Sequence, residues 1–149
     1  KIVINTSSIE SPKIIQDISY TDGNQSVVVH IEGKKINGEY FCFTECGRNN
    51  SGLKVKDWIK ELNNGYAGEI LIQSIDHDGL MKGVDYQLFD LAMTNSRIPV
   101  ILSSGFSSIN NIQDVIENFN PSGICVSSLI HYNKISLKDL KNHDWDTSN

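Results

Sequence analysis

Five short apolar runs, at residues 2–4, 27–31, 70–72, 99–102 and 124–126, recur along the chain, bounded by turn residues and mostly rich in β-branched side chains. Between them lie segments with helical spacing: 9–20 following Thr6, 55–63, 86–93, 109–119 and a last one near 137–143. Short β-branched runs suit buried strands, and apolar positions three and four apart suit helices packed on one side. The pattern is a βα unit repeated about five times. No other feature constrains the fold as strongly.

Strands that alternate with helices and are nearly continuous in hydrophobicity imply a parallel sheet covered by helices through right-handed crossovers. One interruption follows the second run. Residues 34–46 alternate polar and apolar side chains around Asn37-Gly38, a pair that favours a two-residue hairpin turn. An antiparallel flap is therefore expected after the second strand. Periodicity leaves two architectures, an open doubly wound sheet or part of an eight-stranded barrel, and a whole barrel takes about 250 residues. With 149 residues, the expectation is one domain over 1–149, an α/β partial (β/α)8 barrel. Such a sheet leaves apolar edges and inward residues open, so self-association is expected.

Composition narrows the partners. The mix of 39% hydrophobic and 21% charged residues is that of a globular domain. A formal net charge of -5 argues against general binding to nucleic acid or anionic membranes. No apolar run is long enough to span a bilayer, and the first twenty residues lack the sections of a signal peptide, which reads as a cytoplasmic protein. Cys42, Cys46 and Cys125 form a sparse, odd set without metal-ligand spacing, so they read as reduced cysteines, with no metal and no cofactor expected. The chain opens on Lys1 directly before a strand, which raises the expectation of a missing N-terminal region.

In βα folds, functional groups gather where strands end and helices begin, because loops share one rim there and helix starts offer free N–H groups to anions. The strand ends carry Asn5-Thr6-Ser7-Ser8, then Glu32-Gly33-Lys34-Lys35, Ser74-Ile75-Asp76-His77-Asp78-Gly79, Ser103-Ser104-Gly105 and Ser127-Ser128. Ser104, Gly105, Ser127 and Ser128 follow the last two strands, where barrels often hold a phosphate; tight turns and helix caps are the plainer explanation of the same residues. Asn5 and Thr6 with the Asp78-Gly79 loop suggest a second anion site, with Asp78 able to orient a hydroxyl or move a proton. Glu32, directly after an apolar run, is placed as an acid or base at a strand end, or as a solvated rim carboxylate. His30, two residues earlier on the same side, reads as a hydrogen-bonded core histidine. Nucleophile elbow, P-loop and dinucleotide fingerprints are not found.

The stretch Gly68-Glu69-Ile70-Leu71-Ile72-Gln73-Ser74-Ile75-Asp76-His77-Asp78-Gly79, with Met81-Lys82-Gly83-Val84-Asp85 after it, resembles the sixth-strand signature of the cyclase subunit of imidazole glycerol phosphate synthase. Ile4-Asn5-Thr6, Gly33-Lys34-Lys35, Asn37-Gly38, Asp57-Trp58 and Pro99-Val100 leading to Ser103-Ser104-Gly105 support the likeness. It runs from Lys1 to about Lys141 and corresponds to the fourth to eighth βα units of the family.

This resemblance implies a barrel that takes ammonia from a glutaminase partner and cyclises a substrate with a phosphate at each end. One phosphate would meet Ser104, Gly105, Ser127 and Ser128; the other would meet Asn5, Thr6 and Gly79. Lys1 and Glu69 match part of a charged ammonia gate. Of the family's two catalytic aspartates, one falls on a first strand this chain lacks and the other at Glu32, with Asp78 the remaining candidate. Three functions follow as expectations: a cyclase portion, inactive as an isolated chain; a related ammonia-using synthase of surface-polysaccharide sugars, suited by Gln73 and Met81-Lys82-Gly83; or a barrel fragment that binds phosphate without catalysis.

Overall fold

The structure, a computed structural model, describes residues 1–143 and 145. Five parallel strands form its body: β1 (Ile2–Ile4), β2 (Val27–Ile36), β5 (Glu69–Ser74), β6 (Val100–Ser103) and β7 (Gly123–Cys125). Two more, β3 (Glu39–Thr44) and β4 (Asn49–Lys54), run antiparallel off the far half of β2. The helices are α1 (Thr6–Glu10), α2 (Lys13–Asp22), α3 (Val55–Leu62), α4 (Tyr86–Asn95), α5 (Ile109–Phe119), α6 (Ser128–His131) and α7 (Leu137–Asn142).

The parallel strands lie side by side in chain order, β1 beside β2, β2 beside β5, β5 beside β6 and β6 beside β7. A doubly wound sheet reverses its strand order partway; this one does not. Winding that never reverses puts every helix on the same face, as in a barrel wall. Side-chain alternation agrees. Val27, Val29, Ile31, Ile70, Ile72, Val100 and Leu102 join one core with Val55, Trp58, Ile59 and Leu62 of α3, Leu88, Phe89 and Ala92 of α4, and Ile112 and Val115 of α5. The intervening residues, Val28, His30 and Glu32 on β2, Glu69, Leu71 and Gln73 on β5, and Ile101 and Ser103 on β6, face the other way. That second face is the inner wall.

Local chemistry explains the helices. In α3, Val55, Trp58, Ile59 and Leu62 fall on one stripe and are buried. The Asp85 and Ser108 side chains accept from the Leu88 and Asn111 N–H groups, capping α4 and α5 at distances of 3.1 Å and 3.2 Å. Left-handed Asn120 ends α5.

Three expectations need correction. The helix expected over 9–20 is two helices, because Pro12 drives Ser11 out of the helical region and begins α2 afresh. β2 continues to Ile36, so Glu32 sits within the strand rather than at its end. The flap has a further strand, β4, beyond the hairpin turned at Asn37-Gly38, where both residues are left-handed. Among the described residues, no helix is long and apolar enough to cross a membrane.

Candidate functional site

At the N-terminal end of the inner wall, Lys1 and Glu69 form an ion pair. At the C-terminal end stands Glu32. Its Oε2 accepts from Asn5 Nδ2 at 2.7 Å and from the Gly47 N–H at 3.1 Å. Both donors use one oxygen, so Oε1 is left for a proton or ligand. A carboxylate cannot donate, so the Asn5 amide must turn its nitrogen toward Glu32; its Oδ1 is buried without a partner.

Thr6 belongs to the same cluster. Its hydroxyl oxygen accepts from the Glu45 N–H at 2.9 Å, which directs the hydroxyl proton elsewhere and makes Thr6 an oriented donor. Glu45, Cys46 and Gly47 are all left-handed, with φ of 52°, 58° and 74°. Three such residues in succession fold the β3–β4 turn so that two of its amides reach down to Thr6, just past β1, and to Glu32 within β2.

A second cluster lies beyond β5. Ser104 is buried and left-handed, and its Oγ accepts from the Ser74 N–H at 2.9 Å and donates to the Ser74 carbonyl at 3.0 Å. Its hydroxyl is thus committed to joining the ends of β5 and β6, and any ligand would meet its main chain. Gly105 has φ of 80°, and a Cβ there would stand 2.4 Å from the Gly83 carbonyl oxygen. Gly83 N–H also donates to the Gly105 carbonyl at 3.1 Å, stitching the loop that carries Asp78 and Gly79 to the loop that carries Ser104.

Asp78 and Gly79 are exposed in that loop, and Gly79 has open space where a side chain would be. Hydrogen bonds do not join Asp78 to Glu32, Asn5 or Thr6 among the described residues; β2 lies between β1 and β5. Ser127 caps the four-residue α6 through its carbonyl, which accepts from Ile130 and His131, and Ser128 is the first residue of that helix. The structure therefore gathers Asn5, Thr6 and Glu32 tightly, ties Ser104 and Gly105 to the Asp78-Gly79 loop, and leaves Ser127 and Ser128 further along the rim.

Sequence reasoning missed the amides of Glu45 and Gly47, since a main-chain donor leaves no mark in residue type. It also missed a buried network in which Asp85 accepts from Tyr40 OH at 2.6 Å and Ser74 Oγ at 2.8 Å. Burial, followed by the bond to Asp85, raises the Tyr40 hydroxyl well above its ordinary pKa. His30 is not in the helix-side core. It lies on the inner wall, with Nε2 2.8 Å from Gln73 Oε1. Burial holds its pKa below the ordinary value against the opposing pull of Glu32, the Gln73 bond and Asp78. The three cysteines are free, and burial pushes the Cys42 thiol up to about 12. Among the described residues, no group of three His, Cys, Asp or Glu side chains is placed to hold a metal ion.

A family described as histidine biosynthesis protein matches residues 1–136. The imidazole glycerol phosphate synthase subunit HisF of Natranaerobius thermophilus is 38% identical over 143 residues, covering 96% of this chain and 57% of that protein. The subunit HisF of a Thermotoga species is 33% identical over 145 residues, covering 96% of this chain and 56% of its own length. That of Alkaliphilus metalliredigens is 33% identical over 151 residues, or 99% of this chain and 60% of its own. The chain thus spans little more than half the length of these curated relatives. A partial barrel wound in chain order, matched along nearly all its length by such proteins, belongs to the histidine biosynthesis protein family.

Proposed function

We propose that this chain is the fourth-to-eighth-unit portion of an imidazole glycerol phosphate synthase cyclase-like barrel, which binds a bis-phosphorylated substrate at its rim and uses ammonia delivered by a glutaminase partner. One observation carries the reading. A single inner wall bears an ion pair, Lys1 with Glu69, at one end and a hydrogen-bonded carboxylate, Glu32, at the other. Ammonia entering past the pair travels along that wall to the carboxylate. Glu32 exchanges a proton through Oε1 while Asn5 and Gly47 fix Oε2, and Asp78 approaches from the neighbouring loop.

Phosphate binding divides between the clusters. The oriented Thr6 hydroxyl serves one end of the substrate with Asn5 and Gly79, and the main chain of Ser104 and Gly105 serves the other with Ser127 and Ser128. Calorimetric titration with the doubly phosphorylated histidine-pathway substrate tests this: the chain should bind it, and Thr6→Val should weaken binding about fivefold, the net worth of one hydrogen bond. An absence of heat in the unaltered chain would overturn the reading. Gln73 with Met81-Lys82-Gly83 supports a second reading, an ammonia-using synthase acting on an activated sugar. Calorimetric preference for the histidine-pathway substrate over an activated sugar separates the two. Self-association and a cytoplasmic location belong to the same proposal.

A further inference from the structure

The loop that carries Asp78 and Gly79 is pinched at its base by one cross-strand pair of the flap. Lys35 on β2 stands opposite Tyr40 on β3. The Lys35 N–H donates to Asp76 Oδ2 at 3.1 Å, where the loop begins, and Tyr40 OH donates to Asp85 Oδ1 at 2.6 Å, where it ends. Inside the loop, His77 Nδ1 donates to the Gly83 carbonyl at 2.8 Å. The path from Asp76 to Asp85 is thus closed on itself and fastened to the hairpin at both ends.

The far end of the same strand serves the other cluster. β3 runs on from Tyr40 to Thr44, a span of about 13 Å at the usual rise of a strand. The turn that follows holds Thr6 through the Glu45 N–H and Glu32 through the Gly47 N–H. β3 therefore braces two clusters that share no direct hydrogen bond among the described residues.

The fastening at Tyr40 is a single hydroxyl. Its ring is buried, and phenylalanine would fill the same place; the hydroxyl adds the bond to Asp85. Asp85 is buried too, and its carboxylate also accepts from Ser74 Oγ and from the Leu88 N–H, so it joins β3, β5 and α4 at one point. Burial, and then the bond to Asp85, raise the Tyr40 hydroxyl above its ordinary pKa, which keeps it a donor at neutral and mildly alkaline pH.

Resting on the substrate reading above, we infer that Tyr40 is a positioning residue: through Asp85 it holds the Asp78-Gly79 loop at a set distance from Glu32 and Thr6, so that one bis-phosphorylated molecule can meet both. Tyr40 acts through Asp85 and does not itself touch the ligand. Inorganic phosphate at Gly105 does not depend on that distance, because Ser104 fastens its own loop to Ser74 by two bonds.

The test compares the intact chain with Tyr40→Phe, both labelled with 15N. Without ligand, hydrogen exchange at Gly83 and Leu88, whose N–H groups bond to Gly105 and Asp85, should quicken about tenfold in the variant, and by more than at Ile72 and Leu102 within the strands. An equal gain at all four amides would mark a loss of overall stability and overturn the brace, as would no gain at all. In calorimetry the variant should bind the doubly phosphorylated histidine-pathway substrate about fivefold more weakly, the worth of one hydrogen bond. Inorganic phosphate, followed at the Gly105 amide, should bind both chains alike. Equal losses for the two ligands, or an unaltered affinity for the substrate, would overturn the role given to Tyr40. An unaltered chain that bound no substrate, with exchange at Gly83 and Leu88 still quickened in the variant, would overturn the cyclase reading and leave the brace standing.

Discussion

Gly105 shows how one residue can serve a fold and a candidate site together. Its left-handed backbone and the closeness of the Gly83 carbonyl leave no room for a side chain. Gly105→Ala should therefore cost about 2–3 kcal/mol, seen as a lower urea midpoint with an unaltered slope. His30 has a different signature. Its folded pKa lies below the ordinary 6.5, so as pH falls below that value the unfolded chain takes up a proton that the folded chain resists. Stability contributed by keeping this ring neutral is present above pH 6.5 and is lost as the pH drops toward the folded value. Comparing the pH dependence of unfolding with that of His30→Gln should show the acid-side slope reduced in the variant.

At the scale of elements, the β3–β4 turn matters most. Glu45 and Cys46 hold left-handed conformations that non-glycine residues reach only at a cost, and the bonds from Glu45 to Thr6 and from Gly47 to Glu32 retain them. Removing the carboxylate with Glu32→Ala releases Gly47 and Asn5 together. The turn should then open more often, and trypsin should cut after exposed Arg48 about tenfold faster, which mass spectrometry of timed digests would show. Unchanged cleavage would mean that the turn holds itself without Glu32. The sequence made much of this region legible. The Asn37-Gly38 turn announced the hairpin, and α3 and α5 followed directly from apolar spacing. β4 did not, because Asn49, Asn50, Ser51 and Gly52 are exposed and polar and the strand is defined by main-chain pairing with β3. The site divides along the same line: Asn5, Thr6 and Glu32 were visible as side chains, whereas the amides that position two of them belong to the path of the chain.

For the whole molecule, the deciding property is that one face of the sheet is covered and the other is not. Helices bury Ile31, Ile70, Ile72 and Leu102 on the outer side, whereas the inner wall presents Leu71 and Ile101, and on the first strand Val3 is 56% exposed. β1 and β7 each have one edge without a strand partner among the described residues. Apolar surface of this kind is worth roughly 25 cal/mol per Å² when removed from water, and an unpaired strand edge supplies main-chain groups that a second chain can match. The two tendencies act at the same place, since Val3 lies on an edge strand and faces inward. Sedimentation equilibrium should therefore show concentration-dependent association of this chain. Val3→Lys should shift it toward monomer by at least about tenfold in dissociation constant, because a charge on an edge strand must be desolvated before pairing. Far-ultraviolet circular dichroism of the variant should be unaltered, as Val3 makes no part of the helix-side core. A chain that stayed monomeric at every concentration would show that the inner wall is solvated as it stands, and its polar side chains Asn5, His30, Glu32 and Gln73 would then be what keeps it so.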